Sequence, residues 1–188
     1  ALFHFPRICG IIPAEVNLTS APASIFYDGT NGSSYFADNQ LTYYGGTILG
    51  DPRMDLANAG DALTIKNQSA NQKKIVCKFS TSYWESLILT FARRRTSTGF
   101  CFYQIEWSSD GTIFYPITTI NICNPESANV FELQTVNLQN YHQMDRKDSV
   151  FLSISVDSAT SSSGNIRLDN IAIHGQKCME TVTFFDSV

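Results

Sequence analysis

The chain has 188 residues, a formal charge of −4, 43% hydrophobic and 12% aromatic residues, and only 16% charged ones. An acidic balance gives no general attraction to phosphate backbones or anionic lipid, and no apolar run approaches the roughly 18 residues of a membrane span, so nucleic acid and membrane insertion are excluded as the protein's business. Charge is replaced by Ser, Thr and Asn, as in many extracellular β-rich proteins, and the length suits one hydrophobic core.

The opening stretch, ALFHFPRICGIIPAEV, is broken by Pro6, Arg7 and Pro13 and is therefore no secretory signal; the chain reads as cytosolic or as a processed form. Residues 1–44, rich in Gly, Asn, Ser and Tyr, are expected to be loop and edge strand packed over a core formed later. DALTIKN then alternates Leu63 and Ile65 with polar neighbours, and KKIVCKFS alternates Ile75, Cys77 and Phe79. ESLILTFARRR carries Leu87, Leu89 and Phe91 on one face and runs into Arg93, Arg94 and Arg95, read as a solvated strand end. FCFYQIEWSS places Cys101, Tyr103, Ile105 and Trp107 on one face and Gln104 and Glu106 on the other, with Trp107 in the core and Glu106 in water.

Asp110-Gly111 follows, a dipeptide suited to the positive φ of a tight hairpin, and TIFYPI is its return strand. Pro116 cannot donate to a ladder, so it marks a strand end or a sheet edge. DSVFLSISVDS points Val150, Leu152, Ile154 and Val156 inward. In NIRLDNIAIHG the apolar phase changes between Leu168 and Ile171, which predicts a bulge or a change of packing partner at Asp169-Asn170. Strict period-two alternation without amphipathic helices predicts an antiparallel sandwich or barrel. The tail, 176–188, contains Val182 and Phe184 and is expected to be an edge strand or a connection to a further module.

Five cysteines with no CxxC fit neither a regular disulfide framework nor a zinc knuckle. Cys77 and Cys101 read as small buried hydrophobes, and a Cys9–Cys178 bridge between the ends is a further option.

The segments TSYWESLILTFARRRTSTGFCFYQIEWSSDGTIFYPI and SVFLSISVDSATSSSGNIRLDNIAIHG, with the entry segment YYGGTILGDPRMD, resemble the secreted jelly-roll modules of Bacteroidetes surface and exported proteins, which are similar to carbohydrate-binding modules. The resemblance covers residues 45–175. It implies an all-β antiparallel sandwich of jelly-roll type, an exported protein and no catalysis by the module. It also implies a structural calcium ion held in part by Asp169, for which Asp28 is a second candidate ligand; the alternative role of Asp169 is to cap backbone N–H groups at the bulge. In such a source the patterns at Asn17, Asn31 and Asn67 that fit N-glycosylation are incidental.

The three histidines, His4, His142 and His174, are scattered, and HExxH, GxSxG, P-loop and GxGxxG motifs are absent. No enzyme is expected. Sugar recognition pairs a flat aromatic face with polar groups that fix hydroxyls, and Tyr43, Tyr44, Tyr83, Trp84 and Tyr115 are the candidates for such a platform. The expected partner is a glycan or, in the alternative, a surface protein contacted by a structural or adhesive module.

Overall fold

The computed structural model describes residues 2–3, 12–13, 23–27, 36, 39–51 and 59–178. Its strands in chain order are β1 (Leu2–Phe3), β2 (Ile12–Pro13), β3 (Ser24–Tyr27), β4 (Leu41–Gly45), β5 (Asp61–Lys66), β6 (Lys74–Phe79), β7 (Trp84–Arg95), β8 (Phe102–Ser108), β9 (Tyr115–Asn121), β10 (Glu132–Asn137), β11 (Val150–Asp157) and β12 (Asn165–Lys177). Among the described residues, helix is confined to three short 3₁₀ turns.

The strands form two antiparallel sheets. Sheet I has the order β10-β7-β12-β5-β4, with β1 pairing onto β12; sheet II has the order β2-β3-β6-β11-β8-β9. The protein is an antiparallel β-sandwich of jelly-roll type. Its core lies between the sheets, where Leu63, Leu89, Phe91 and Leu168 from one layer meet Ile75, Ile105, Leu152 and Ile154 from the other, each fully buried. The alternation seen in the sequence is what makes this possible, because every second side chain of a strand points to the same layer. Truncating one such anchor, as in Phe91→Ala, costs about 3–5 kcal/mol.

The phase change in β12 has a definite cause. Residues 165–168 pair with β5, residues 171–172 pair with β1, and β7 runs along the other side throughout. The register against β7 shifts between Asp169 and Ala172, with Asn170 at φ 49°. Bulge and change of partner therefore coincide, and the bulge lets one long strand serve two neighbours in succession.

Three expectations are corrected here. Arg93 and Arg95 are not a solvated strand end: β7 continues through them, they share the inward face with Leu89 and Phe91, and only 6% and 3% of their surfaces are exposed. Arg95 donates to the carbonyls of Thr96, Ser97, Ile122 and Asn124, so a planar fork with five donors closes one end of the sandwich. Cys101 is no free buried thiol but is bonded to Cys123. The pairing joins the residue before β8 to the second residue beyond β9, two points that the pairing of these strands already brings together. Cys77, by contrast, is a buried thiol whose pKa is pushed up to about 12 by desolvation.

The third correction concerns the hairpin. β8 and β9 do pair, and Pro116 does lie on an edge strand, opposite Glu106 at a bulge. The connection is nevertheless a broad loop over residues 109–114, with Gly111 at φ 78°, and Thr112 to Phe114 belong to the loop rather than to the return strand. β10, which lacks a clean apolar alternation, is legible only in the structure. Cys9, Asp28, Val182 and Phe184 lie outside the described residues, and with them the Cys9–Cys178 bridge and the tail strand.

Candidate functional site

The loop 109–114 is built by its own side chains. The Asp110 carboxylate accepts from the backbone N–H groups of Thr112 at 2.8 Å and Ile113 at 3.1 Å and from Ser108 Oγ at 2.9 Å. Ser108 Oγ in turn accepts from the N–H of Gly111. These donors, backbone first, hold Asp110 well below the usual carboxylate range. The loop folds back onto the outer face of sheet II, where a Cβ on Gly111 would stand 3.0 Å from the Phe151 ring.

At the end of that loop Phe114 covers the Lys74 ammonium, 3.7 Å from the ring centroid. The same ammonium lies 3.7 Å from Glu106 Oε2, which also accepts from Ser153 Oγ at 3.1 Å, while Gln104 Nε2 donates to Glu106 Oε1 at 3.2 Å. Glu106 is thus the centre of a polar network with its side chain only 16% exposed, where the alternation placed it in water. Nothing in the one-dimensional pattern reveals this, because the lysine and the serine arrive from β6 and β11.

Strand pairing sets Lys74, Ser155, Gln104 and Thr119 in one row across β6, β11, β8 and β9, spanning about 14 Å at the usual strand spacing. The half-buried Phe102 stands in the adjoining row with Asp157 and Asn121, and the Phe114 ring lies over Lys74 at the β6 end of the row. A polar row with two aromatic rings beside it offers hydroxyl-binding groups and apolar faces together.

The aromatic candidates named from the sequence do not converge. Tyr83 is 51% exposed in the turn before β7, and Trp84 begins β7 with its ring packed against the core. Tyr43 and Tyr44 lie on β4 at an edge of sheet I; Tyr43 packs on the core and Tyr44 is 44% exposed. Tyr115 lies on the edge strand of sheet II, 50% exposed, and its ring is 5.6 Å from that of Trp107. Trp107 is therefore half-buried at the margin of the core rather than within it.

Asp169 is fully buried on the outer side of sheet I beneath the segment 46–51. Its Oδ2 accepts from Thr47 N at 2.8 Å and its Oδ1 from Asn170 N at 2.9 Å, while Asn170 Nδ2 donates to the carbonyls of Thr47 and Leu49. Asn170 Oδ1 is a buried acceptor without a partner among the described residues. No group of three His, Cys, Asp or Glu side chains converges among the described residues. Among the described residues, the oxygens gathered here fall short of the six to eight that calcium takes, and N–H groups point at both carboxylate oxygens. The described residues around Asp169 do not fit the ion.

The sequence matches no protein-family model and no curated protein. Comparison with solved structures finds the xylan-binding module CBM15, at 10% identity and TM-score 0.54, covering 93% of this chain and 100% of that one. The fold is like that of CBM15. Two more matches are a β-1,4-galactotriose complex of TmCBM61 (5% identity, TM-score 0.47, 82% and 88% coverage) and the non-crystalline cellulose specific module CBM28 (18%, 0.44, 75% and 87%).

Proposed function

We propose that this protein is a non-catalytic carbohydrate-binding module that works outside the cell, displayed at a bacterial surface. The observation that carries the reading is the polar row on sheet II, in which Ser155, Gln104 and Thr119 follow Lys74 across the strands, with Phe102 in the adjoining row and the Phe114 ring over Lys74. A pyranose presents hydroxyls at its rim and C–H groups on its faces, and this strip complements both. The likeness of the fold to a xylan-binding module agrees with it. The Cys101–Cys123 bridge supports the extracellular part, because disulfides persist in oxidising compartments.

The test is binding to a broad panel of immobilised glycans by the wild type beside Gln104→Ala and Phe102→Ala, with thermal melts as the folding control. Selective binding that both variants lose while still melting cooperatively supports the proposal. A blank panel overturns it.

The alternative of a structural or adhesive module is favoured by a different feature. Ile48, Leu49, Val130 and Leu133 are exposed at 62%, 37%, 55% and 46%, and Gly50 abuts the Leu133 side chain. An apolar surface of this kind suits a protein contact, and it lies on the opposite sheet from the polar strip.

A further inference from the structure

Arg94 on β7 and Arg167 on β12 stand directly opposite each other in the antiparallel register. Both point to the outer face of sheet I, since Arg93 and Arg95 on either side of Arg94 point into the core. Opposed side chains of this kind have Cβ atoms about 4.5–5.5 Å apart, and like charges so placed repel. The repulsion is visible on Arg167, whose pKa is lowered by desolvation first and by the charge of Arg94 second.

Neither guanidinium meets a carboxylate among the described residues. Arg94 Nε donates to Asn129 O at 2.9 Å and Arg167 Nη1 to Gly45 O at 3.0 Å, while Arg167 Nε is shielded from water without a partner. The nearest acid on this face, Asp169, two residues from Arg167 on β12 and opposite Ala92, accepts from the N–H groups of Thr47 and Asn170, and Glu132 on β10 is bound at 2.6 Å by the inward-pointing Arg93. In a protein of net charge −4, two adjacent arginines with no ion pair to a carboxylate among the described residues are a costly arrangement to keep for packing alone. Next to them, the Tyr44 ring lies 5.1 Å from the Arg167 guanidinium carbon, and Thr64 and Thr42 continue the row across β5 and β4.

We infer that Arg94 and Arg167 bind an oxyanion, the carboxylate or sulfate of an acidic saccharide whose ring lies beside Tyr44. Two guanidinium forks facing one oxyanion supply charge-assisted hydrogen bonds and relieve the repulsion between them. Thr64 is buried and supports the row, while the half-exposed Thr42 offers a hydroxyl at its far end. The saccharide part of the inference rests on the carbohydrate-binding reading above; the oxyanion part does not.

The experiment has two arms. In the first, sodium sulfate is titrated against sodium chloride at constant ionic strength, with melting temperature and arginine side-chain NMR signals as readouts, in the wild type, Arg94→Gln and Arg167→Gln. The expected result is a sulfate-specific rise in Tm and shifted arginine signals in the wild type only. No response, or the same response in both variants, overturns the site. In the second arm, matched oligosaccharides differing only in a sulfate or a uronic carboxylate are compared by calorimetry. The charged member should bind at least about tenfold more tightly, and the preference should vanish in both variants and shrink with salt. Equal binding of charged and neutral partners overturns the acidic-saccharide assignment. Sulfate binding with no binding of any glycan overturns the carbohydrate reading while leaving the oxyanion site standing.

Discussion

Asp169 Oδ2 accepts a hydrogen bond from the backbone N–H of Thr47 at 2.8 Å, so one buried carboxylate ties the closing strand β12 to the segment that crosses it. The same oxygen occupies the place where a Cβ on Gly46 would fall, which accounts for glycine at that position. Asp169→Ala leaves the N–H groups of Thr47 and Asn170 without acceptors, at about 1–3 kcal/mol each. Urea denaturation should therefore show a loss of about 2–5 kcal/mol for Asp169→Ala. Asp169→Asn, which keeps one acceptor oxygen, should lose less.

The Asp110 carboxylate organises the loop 109–114, and its pKa is depressed. A depressed carboxylate contributes order that is fully present above its ordinary pKa and is lost as pH falls through the lower value of the folded state. The Gly111 and Thr112 amide signals should hold steady from neutral pH down through the usual carboxylate range and move only in stronger acid. In Asp110→Asn that acid transition should be absent. Persistence of the same transition in the variant would reassign the loop's order to another group.

Arg95 gathers four carbonyls from two connections while only 3% exposed. Arg95→Lys offers one point of donation in place of a fork, so it should not substitute. Hydrogen exchange should accelerate over residues 122–131 in Arg95→Lys, with stability down by about 2–4 kcal/mol. Unchanged exchange in that segment would show that Arg95 does not pin it.

The Cys101–Cys123 bridge closes a loop with a sequence separation of 22, worth about 3 kcal/mol in chain entropy. The double substitution Cys101→Ala with Cys123→Ala should lower stability by about that amount. In native protein, thiol reagents should leave Cys77 unmodified, because it is buried and its thiolate is disfavoured, and modify it once the chain unfolds. Modification of Cys77 under native conditions would count against the burial.

The alternation of Ile75, Cys77 and Phe79, of Tyr103 and Ile105, and of Leu152 and Ile154 determined half-buried antiparallel strands of a sandwich or barrel, since a strand's side chains repeat with period two whatever its neighbours are. The break at Asp169-Asn170 announced its bulge for the same reason. Which polar side chains meet is a different matter, settled by strand order and register. Arg95 looks like part of a solvated end until the 122–131 connection supplies the carbonyls of Ile122 and Asn124, and Arg93 does so until β10 brings it Glu132. Glu106 looks solvated until β6 and β11 bring it Lys74 and Ser153. The opposed pair Arg94 and Arg167 lies 73 positions apart by simple subtraction of their numbers, and only the register of β7 on β12 makes them neighbours. Burial patterns follow from local chemistry, whereas hydrogen-bond partners and unmet charges follow from long-range pairing, so the sequence by itself determined the layers and tertiary structure decided the sites.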